Sequence, residues 1–276
     1  MPRRDHDVGD AAEKIVVRRF SAGRPWGRVV IGGAMGARQD FYAPFAEYLA
    51  AAGLDVATLD YRGMGYSRAG SLRGFETDVS TWAEGDLDGV VASMGQELPL
   101  FFVGHSLGGQ LLGVLPHNER VKAALHVSAG SGWYKLNDRM RLGVRLFWFA
   151  AVPLLTPLCG YFPGKALRMV GDLPSGVAWQ WRRWCLHPDY LLSEGERYRA
   201  AFDRVRIPIR SYSFEDDPII TRAGVDSLHG FYRNARVERL HVDAPPIGHF
   251  GFFQRRSEPT LWRESLGWLR ERAETA

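Results

Sequence analysis

Cysteine is scarce in this sequence, because only Cys159 and Cys185 occur among 276 residues. Their spacing matches neither a metal-ligand pattern nor a redox pair. Residues 1–7 are rich in charge, whereas a secretory signal needs an apolar stretch near this point. We therefore expect two reduced thiols, a cytoplasmic protein, and neither a metal ion nor another cofactor.

A strong excess of one charge is also lacking. Lys and Arg number 35 against 31 Asp and Glu. The basic residues are scattered along the chain, whereas nucleic-acid-binding proteins gather them in patches with aromatic residues between them. Nucleic acid is therefore not expected as a partner.

The sequence has no long hydrophobic run free of proline. Residues 146–164 carry no charge and begin with a strongly apolar stretch, but Pro153, Pro157 and Pro163 interrupt them. A membrane-spanning helix needs about 20 mostly apolar residues, and each proline would remove a backbone hydrogen bond. We predict that this segment forms a lid or a pocket wall instead of a membrane span.

What the sequence does contain is an alternation of strand-like and helix-like patterns before residue 130 and again after residue 206. The predicted strands lie at 14–20, 28–31, 54–59, 100–103, 121–127, 207–213 and 237–242. The predicted helices lie around 41–52, 82–91, 107–115, 223–232 and 261–269. This order predicts βαβ units and an α/β fold with a mostly parallel, doubly wound sheet.

The stretch from 131 to 206 has a different character, because it is rich in Trp, Arg and Pro and contains no clear strand pattern. We therefore predict that residues 1–130 and 207–276 form the two parts of an α/β core. Residues 131–206 are predicted to form a mainly helical cap inserted between them.

The segment Gly104–Gly108 matches the pattern G-x-S-x-G, with an apolar strand pattern before it and a helical pattern after it. A sharp turn from strand to helix brings backbone segments together, so small residues are needed on both sides of the serine. Such a turn exposes Ser106 at the carboxyl end of the sheet and directs the Leu107 N–H at a developing oxyanion. The context predicts Ser106 as a nucleophile; the alternative is a glycine-rich turn that happens to contain serine.

This motif, together with the segments Asp60–Ser67 and Gly248–Phe253, makes the sequence resemble the α/β-hydrolase superfamily. Within it, the sequence is similar to the branch of monoglyceride lipases and serine-aminopeptidase-like hydrolases, and to a group of bacterial hydrolases. The resemblance covers nearly the whole predicted core and implies the α/β-hydrolase fold. It also implies a catalytic triad in the chain order serine, acid, histidine.

That order places the acid after the strand that follows the cap, where Asp217 directly precedes Pro218 and an apolar pair. Such a carboxylate accepts the Nδ1–H of the catalytic histidine and holds its tautomer. Asp216 is the reserve candidate, and a merely solvated acidic turn is the remaining alternative. The predicted general base is His249, in a glycine-rich loop between the last strand and the closing helix. The other seven histidines are expected to be structural or solvated.

A second oxyanion donor is expected in the loop after the early strand, where many superfamily members carry His-Gly-x-Gly. This sequence has Gly33-Ala34-Met35-Gly36 there, so the histidine and the first glycine of that pattern are absent. Counting back from Tyr42, which resembles a tyrosine of the family pattern, assigns the donor to the Met35 N–H. A backbone donor tolerates a change of side chain. The neighbouring Ala34 remains an alternative.

The predicted cap is much richer in aromatic residues than the strands before it. Most of them would pack the cap onto the core, but a few suffice to line an apolar pocket. We expect Trp133, Phe147 and Trp148 to bind substrate. The predicted substrate is a small ester or thioester with an apolar acyl or aryl group, since no acidic cluster suited to an amine terminus occurs in the cap.

Three alternatives stay open at this point. The same triad would cleave amides in an amidase or an aminopeptidase. A relative that binds ligands without turnover would keep the fold. A protein that contacts membranes transiently would use the apolar stretch from Leu146 to Leu158.

Overall fold

The computed structural model describes residues 4–8 and 15–274. Its largest element is an eight-stranded sheet with the strand order β1-β2-β4-β3-β5-β6-β9-β10. These strands are β1 (Arg4–Val8), β2 (Ile15–Phe20), β3 (Gly27–Gly32), β4 (Leu54–Leu59), β5 (Leu100–His105), β6 (Val121–Val127), β9 (Pro208–Phe214) and β10 (Arg236–Val242). Two short strands, β7 (Tyr161–Phe162) and β8 (Leu173–Pro174), form a separate antiparallel pair.

Within this sheet, neighbouring strands are parallel from β4 through β3, β5, β6 and β9 to β10. Antiparallel pairing occurs only at one edge, between β1 and β2 and between β2 and β4. This confirms the predicted mostly parallel sheet. One strand was not predicted, because β1 pairs outside β2 at the edge of the sheet. The charged stretch Arg4–Val8 carries no apolar alternation that would have predicted a strand. Lys14, the predicted start of β2, lies outside the described residues.

Ten α-helical segments accompany the strands in the described part of the chain. They are α1 (Ala43–Ala51), α2 (Val79–Thr81), α3 (Asp88–Ser93), α4 (Leu107–Leu111), α5 (Arg141–Leu146), α6 (Val152–Cys159), α7 (Ser175–Leu186), α8 (Glu196–Arg204), α9 (Arg222–His229) and α10 (Arg263–Glu274). A π-helical turn at Trp82–Leu87 joins α2 to α3, and another at Phe147–Ala151 joins α5 to α6.

Buried side chains cover both faces of the sheet. Val30 and Phe102 belong to a core on one face, which includes residues of α3, α4 and α9. Val29 and Phe101, their neighbours along the strands, belong to a second core with residues of α1 and α10. Successive residues of a strand point to opposite faces, so near-continuous apolar runs are what a doubly covered sheet requires. The doubly wound α/β fold is thus confirmed.

The segment between β6 and β9 contains α5 to α8 and the β7–β8 pair. Its first helical stretch is continuous from Arg141 to Cys159 and is long and apolar enough, by length and composition alone, to cross a membrane. The expectation that prolines interrupt it was wrong for Pro153 and Pro157, which both lie within the helix. The π turn directly before Pro153 is a place where helices tolerate a lost backbone hydrogen bond.

Candidate active site

Ser106 occupies a sharp turn between β5 and α4. Its backbone has φ 51° and ψ −113°, a conformation that residues other than glycine rarely adopt. The turn forces close packing, because a Cβ at Gly108 would lie 2.1 Å from the Gly32 carbonyl oxygen and one at Gly104 would lie 2.3 Å from the Gly109 Cα. Glycine is therefore required at both positions, as the motif predicts. The turn leaves the Ser106 side chain at the wall of a cavity.

The loop after β3 runs beside this turn. The Gly108 N–H donates to the Gly33 carbonyl oxygen at 3.1 Å, and the Ala34 N–H donates to the Tyr42 hydroxyl at 2.7 Å. No hydrogen bond among the described residues uses the N–H of Met35 or of Leu107, and both residues line the same cavity as Ser106. The loop thus has one N–H already satisfied, at Ala34, and one available, at Met35.

Asp217 and His249 form a buried pair. His249 Nδ1 lies 2.8 Å from Asp217 Oδ2, and the two side chains are almost wholly enclosed. The other carboxylate oxygen of Asp217 accepts the N–H groups of Ile219 and Ile220 at 2.8 and 3.0 Å. The carboxylate is therefore held in one orientation, with Oδ2 directed at the imidazole.

The neighbouring Asp216 has a different set of partners. Its Oδ1 accepts the N–H groups of Ile247 and Gly248 at 3.1 and 2.8 Å. Asp216 thus fastens the backbone of the histidine loop to the acid loop, and of the two candidate acids it is Asp217 that contacts the imidazole.

His105, the residue before Ser106, joins the turn to the histidine loop. Its Nδ1 lies 2.9 Å from the Tyr42 hydroxyl and its Nε2 lies 2.8 Å from the His249 carbonyl oxygen. Burial, and then the proximity of His249, lower the pKa of His105 well below its usual range. A neutral ring with Nε2–H donating to the carbonyl and Nδ1 accepting from Tyr42 satisfies every group. The hydroxyl of Tyr42 therefore connects the Ala34 loop to the loop of His249.

The cavity beside Ser106 has a volume of about 520 Å³ and a mostly apolar wall. Trp133, Phe147 and Trp148, the residues expected to bind substrate, line it together with Ser106. Phe147 and Trp148 are fixed by ring contacts with Trp181, whose centroid lies 5.9 and 4.8 Å from theirs. The structure therefore brings these predicted residues to one chamber.

Sequence reasoning missed several residues of this cavity. Gln110 lies on its wall, accepting from the Tyr190 hydroxyl at 2.8 Å and donating to the Gly130 carbonyl at 2.8 Å. Its position four residues after Ser106 puts both on one side of a helix, a signal that was available. The loop 168–171 and Tyr190 also line the cavity. No local sequence pattern predicts them, because only the tertiary fold brings them to the cavity.

One group of side chains that could bind a metal ion lies outside the wall of the cavity beside Ser106. Within residues 4–8 and 15–274, the ligand atoms of Glu215, His241 and Asp243 lie within 4.8 Å of one another. His241 Nε2 is 3.0 Å from Glu215, which is also paired with Arg139, and Ser213 contacts His241 Nδ1 at 2.9 Å. These ion pairs and hydrogen bonds account for the group as a surface network.

Several solved structures share this fold. A soluble variant of monoglyceride lipase from Saccharomyces cerevisiae, in complex with a substrate analog, aligns with a TM-score of 0.74 and 16% identity over 99% of this chain and 96% of that chain. A membrane phospholipase A, described as a bacterial virulence factor, aligns with 0.62 and 18% over 99% and 87%. The thioesterase domain from the curacin biosynthetic pathway aligns with 0.59 and 16% over 97% and 100%. These likenesses show the fold.

Sequence comparison gives the family. No curated protein sequence matches significantly. The family described as serine aminopeptidase, S33, matches residues 23–160, which is half of the chain and includes β3 to β6 with the turn of Ser106. Together with the sheet and its structural neighbours, this match shows that the chain belongs to the serine aminopeptidase family of α/β hydrolases.

Proposed function

We propose that this protein is a serine hydrolase that cleaves an ester or thioester with an apolar acyl or aryl group. The observation that carries the proposal is the Asp217–His249 pair, buried at 2.8 Å in a loop that His105 ties to the turn of Ser106. A carboxylate that orients a histidine beside a serine on a strained turn is the arrangement that activates a serine hydroxyl.

The proposed reaction begins when Ser106 Oγ attacks the substrate carbonyl carbon and His249 Nε2 takes the hydroxyl proton. The N–H groups of Met35 and Leu107 donate hydrogen bonds to the developing oxyanion, since neither has another partner among the described residues. Imidazolium at His249 then protonates the leaving group, and an acyl group remains on Ser106. Water then attacks the acyl group with His249 as the base again, and the carboxylic acid product leaves Ser106.

The character of the cavity supports an apolar acyl group. Residues 131–206, which we propose act as a cap, contribute Trp133, Phe147 and Trp148 to its wall. Among the described residues that line it, none is Asp or Glu, and Arg168 is the single charged one. An aminopeptidase needs a carboxylate to bind the amine terminus of its substrate, so the wall favours an ester or thioester over a peptide.

A panel of substrates tests this proposal. Purified protein is assayed with p-nitrophenyl esters, acyl thioesters and aminoacyl p-nitroanilides at matched concentrations. We expect kcat/KM for esters or thioesters to exceed that for the aminoacyl amides by at least 100-fold. A preference for aminoacyl amides would identify an aminopeptidase, and turnover of none of them would favour a relative that only binds ligands.

A further inference from the structure

The helix Arg141–Cys159 presents one face to the protein and leaves the other uncovered. Phe147, Trp148, Val152 and Thr156 are buried. The opposite side carries five large apolar residues, which we name the apolar face: Leu142, Leu146, Phe149, Leu154 and Leu158. Leu142 and Leu158 are 71% and 74% exposed, and only 22% of the most apolar 18-residue stretch of this helix is buried. Soluble proteins rarely expose so continuous an apolar surface without a binding role.

The apolar face continues into a groove that adjoins the cavity beside Ser106. The groove has a volume of about 430 Å³ and is walled by Leu154, Leu167 and Met169 among other apolar residues. Gly143, Phe147 and Met169 border both this groove and the cavity beside Ser106. The groove and the cavity are thus neighbours that share part of their apolar walls.

The chain segment that forms the apolar face carries charge of one sign. Residues 139–171 contain five Arg or Lys and no Asp or Glu. Arg141 and Arg145 are exposed one helical turn apart, next to Leu142 and Leu146 on the helix surface. Lys165 and Arg168 are exposed in the loop that follows. Among the described residues, no carboxylate forms an ion pair with any of these four cations.

We propose that the apolar face docks on an anionic phospholipid bilayer, with the helix lying in the plane of the membrane surface. Leucine and phenylalanine on one side of a helix, flanked by arginine and lysine, bind such surfaces through buried apolar area and attraction to anionic headgroups. The helix does not need to span, because its other side is packed on α7, with Trp148 and Trp181 rings 4.8 Å apart. The surface of a bilayer supplies both the apolar layer and the negative charge that this face matches.

Docking in this orientation places the groove against the lipid. An apolar ester would then pass from the bilayer along Leu154 and Met169 into the cavity beside Ser106 without crossing water. This delivery step rests on the proposed function, whereas the docking rests on the surface alone.

Vesicle flotation tests the docking. The full chain is mixed with phosphatidylcholine vesicles and with vesicles that contain equal parts phosphatidylcholine and phosphatidylglycerol, at low and at physiological salt. We expect at least tenfold stronger partitioning onto the anionic vesicles at low salt. Leu142→Ser with Leu158→Ser should reduce that partitioning at least tenfold. Arg141→Gln with Arg145→Gln should also reduce it and weaken its dependence on salt.

Matched controls separate this face from general effects. Arg263→Gln with Arg270→Gln removes two exposed cations of α10 and should leave partitioning unchanged. Leu142 and Leu158 line neither the cavity of Ser106 nor the groove, so their double variant should hydrolyse p-nitrophenyl acetate at the wild-type rate. Failure of that hydrolysis in the wild type as well would count against the proposed function and leave the docking result standing.

Three results would overturn the docking. In the first, the wild type fails to float with anionic vesicles at low salt. In the second, the leucine variant floats as well as the wild type. In the third, light scattering shows that the wild type is a dimer and the leucine variant a monomer, while the two bind vesicles equally. The apolar face would then join two copies of this chain.

Discussion

The imidazole of His105 donates from Nε2 to the backbone carbonyl of His249 at 2.8 Å. This bond crosses from the residue before the proposed nucleophile to the proposed general base itself. A neutral ring that donates there carries no proton on Nδ1, which accepts the Tyr42 hydroxyl proton at 2.9 Å. Tyr42 thereby sets the tautomer of a residue that positions His249.

Tyr42→Phe should therefore lower kcat by about 10- to 100-fold while KM changes little, because small misplacement of a base weakens the chemical step. The variant also leaves the Ala34 N–H and His105 Nδ1 without a buried partner, which should cost about 1–3 kcal/mol of stability. Steady-state kinetics and urea unfolding measure the two effects. Tyr212→Phe is the matched control, since that buried hydroxyl bonds to Ser265, at 3.5 Å, and to the Arg210 side chain instead of to His105. An equal fall in kcat in both variants would remove the positioning role from Tyr42.

Asp217→Asn should lower turnover by orders of magnitude, with about 10⁴ as the scale seen when the acid of a protease triad is replaced in this way. Asp216→Asn should cost less than tenfold, because an asparagine oxygen still accepts the N–H groups of Ile247 and Gly248. The comparison needs only kcat values for the two variants. A similar loss in both would leave the acid unassigned.

The length of the acyl chain should control kcat/KM if the cap closes over the acyl group. Each buried CH₂ is worth about 0.8 kcal/mol, so kcat/KM should rise about fourfold per methylene from p-nitrophenyl acetate to medium-chain esters and then fall. Phe147→Ala with Trp148→Ala should flatten this rise and spare acetate hydrolysis. Phe149→Ala is the control, because Phe149 is exposed and does not line the cavity. A wild-type preference for acetate throughout would mean that the cap aromatics serve packing alone.

The free energy of unfolding should fall as the pH is lowered, because His126 and His229 form a buried pair. His126 Nδ1 lies 3.1 Å from His229 Nε2. Burial lowers the pKa of His229 to about 4 and the pKa of His126 well below its usual range. In the unfolded chain histidine titrates near pKa 6.5, so between about pH 6.5 and pH 4 the unfolded state binds more protons. Stability is complete above this window and is lost as pH falls through it, by about 3 kcal/mol from His229 alone.

Urea unfolding between pH 7 and pH 4 measures this loss. His229→Gln should shrink the pH dependence, whereas the exposed His187→Gln should keep the wild-type slope. An unchanged slope in His229→Gln would show that other groups cause the acid lability.

Much of the core was predictable from the sequence, because a doubly covered parallel sheet needs near-continuous apolar strands such as Leu100–Val103, and those runs are visible along the chain. The turn at Ser106 was predictable for the same kind of local reason, since glycine on both sides has a steric cause. Chain order likewise placed Asp217 and His249 near each other.

Other features depend on contacts between distant segments. The family pattern favoured Asp217 and kept Asp216 in reserve, but only the fold shows which carboxylate faces the imidazole. Tyr42 could be counted from a family pattern, but its hydroxyl bond to His105 could not. Strand β1 was missed because its pairing with β2 needs no apolar pattern. The helix through Pro153 was missed because a π turn accommodates it.

Labelling with a fluorophosphonate probe tests the central claim most directly, since a serine attacks such a probe readily only when an adjacent base activates it. The purified protein is incubated with the probe, digested, and the modified peptide is identified by mass spectrometry. We predict one modified residue, Ser106, no labelling of Ser106→Ala, and strongly slowed labelling of His249→Ala. Labelling that persists at another residue in Ser106→Ala, or no labelling of a wild type that hydrolyses esters, would contradict the assignment of Ser106 as the nucleophile.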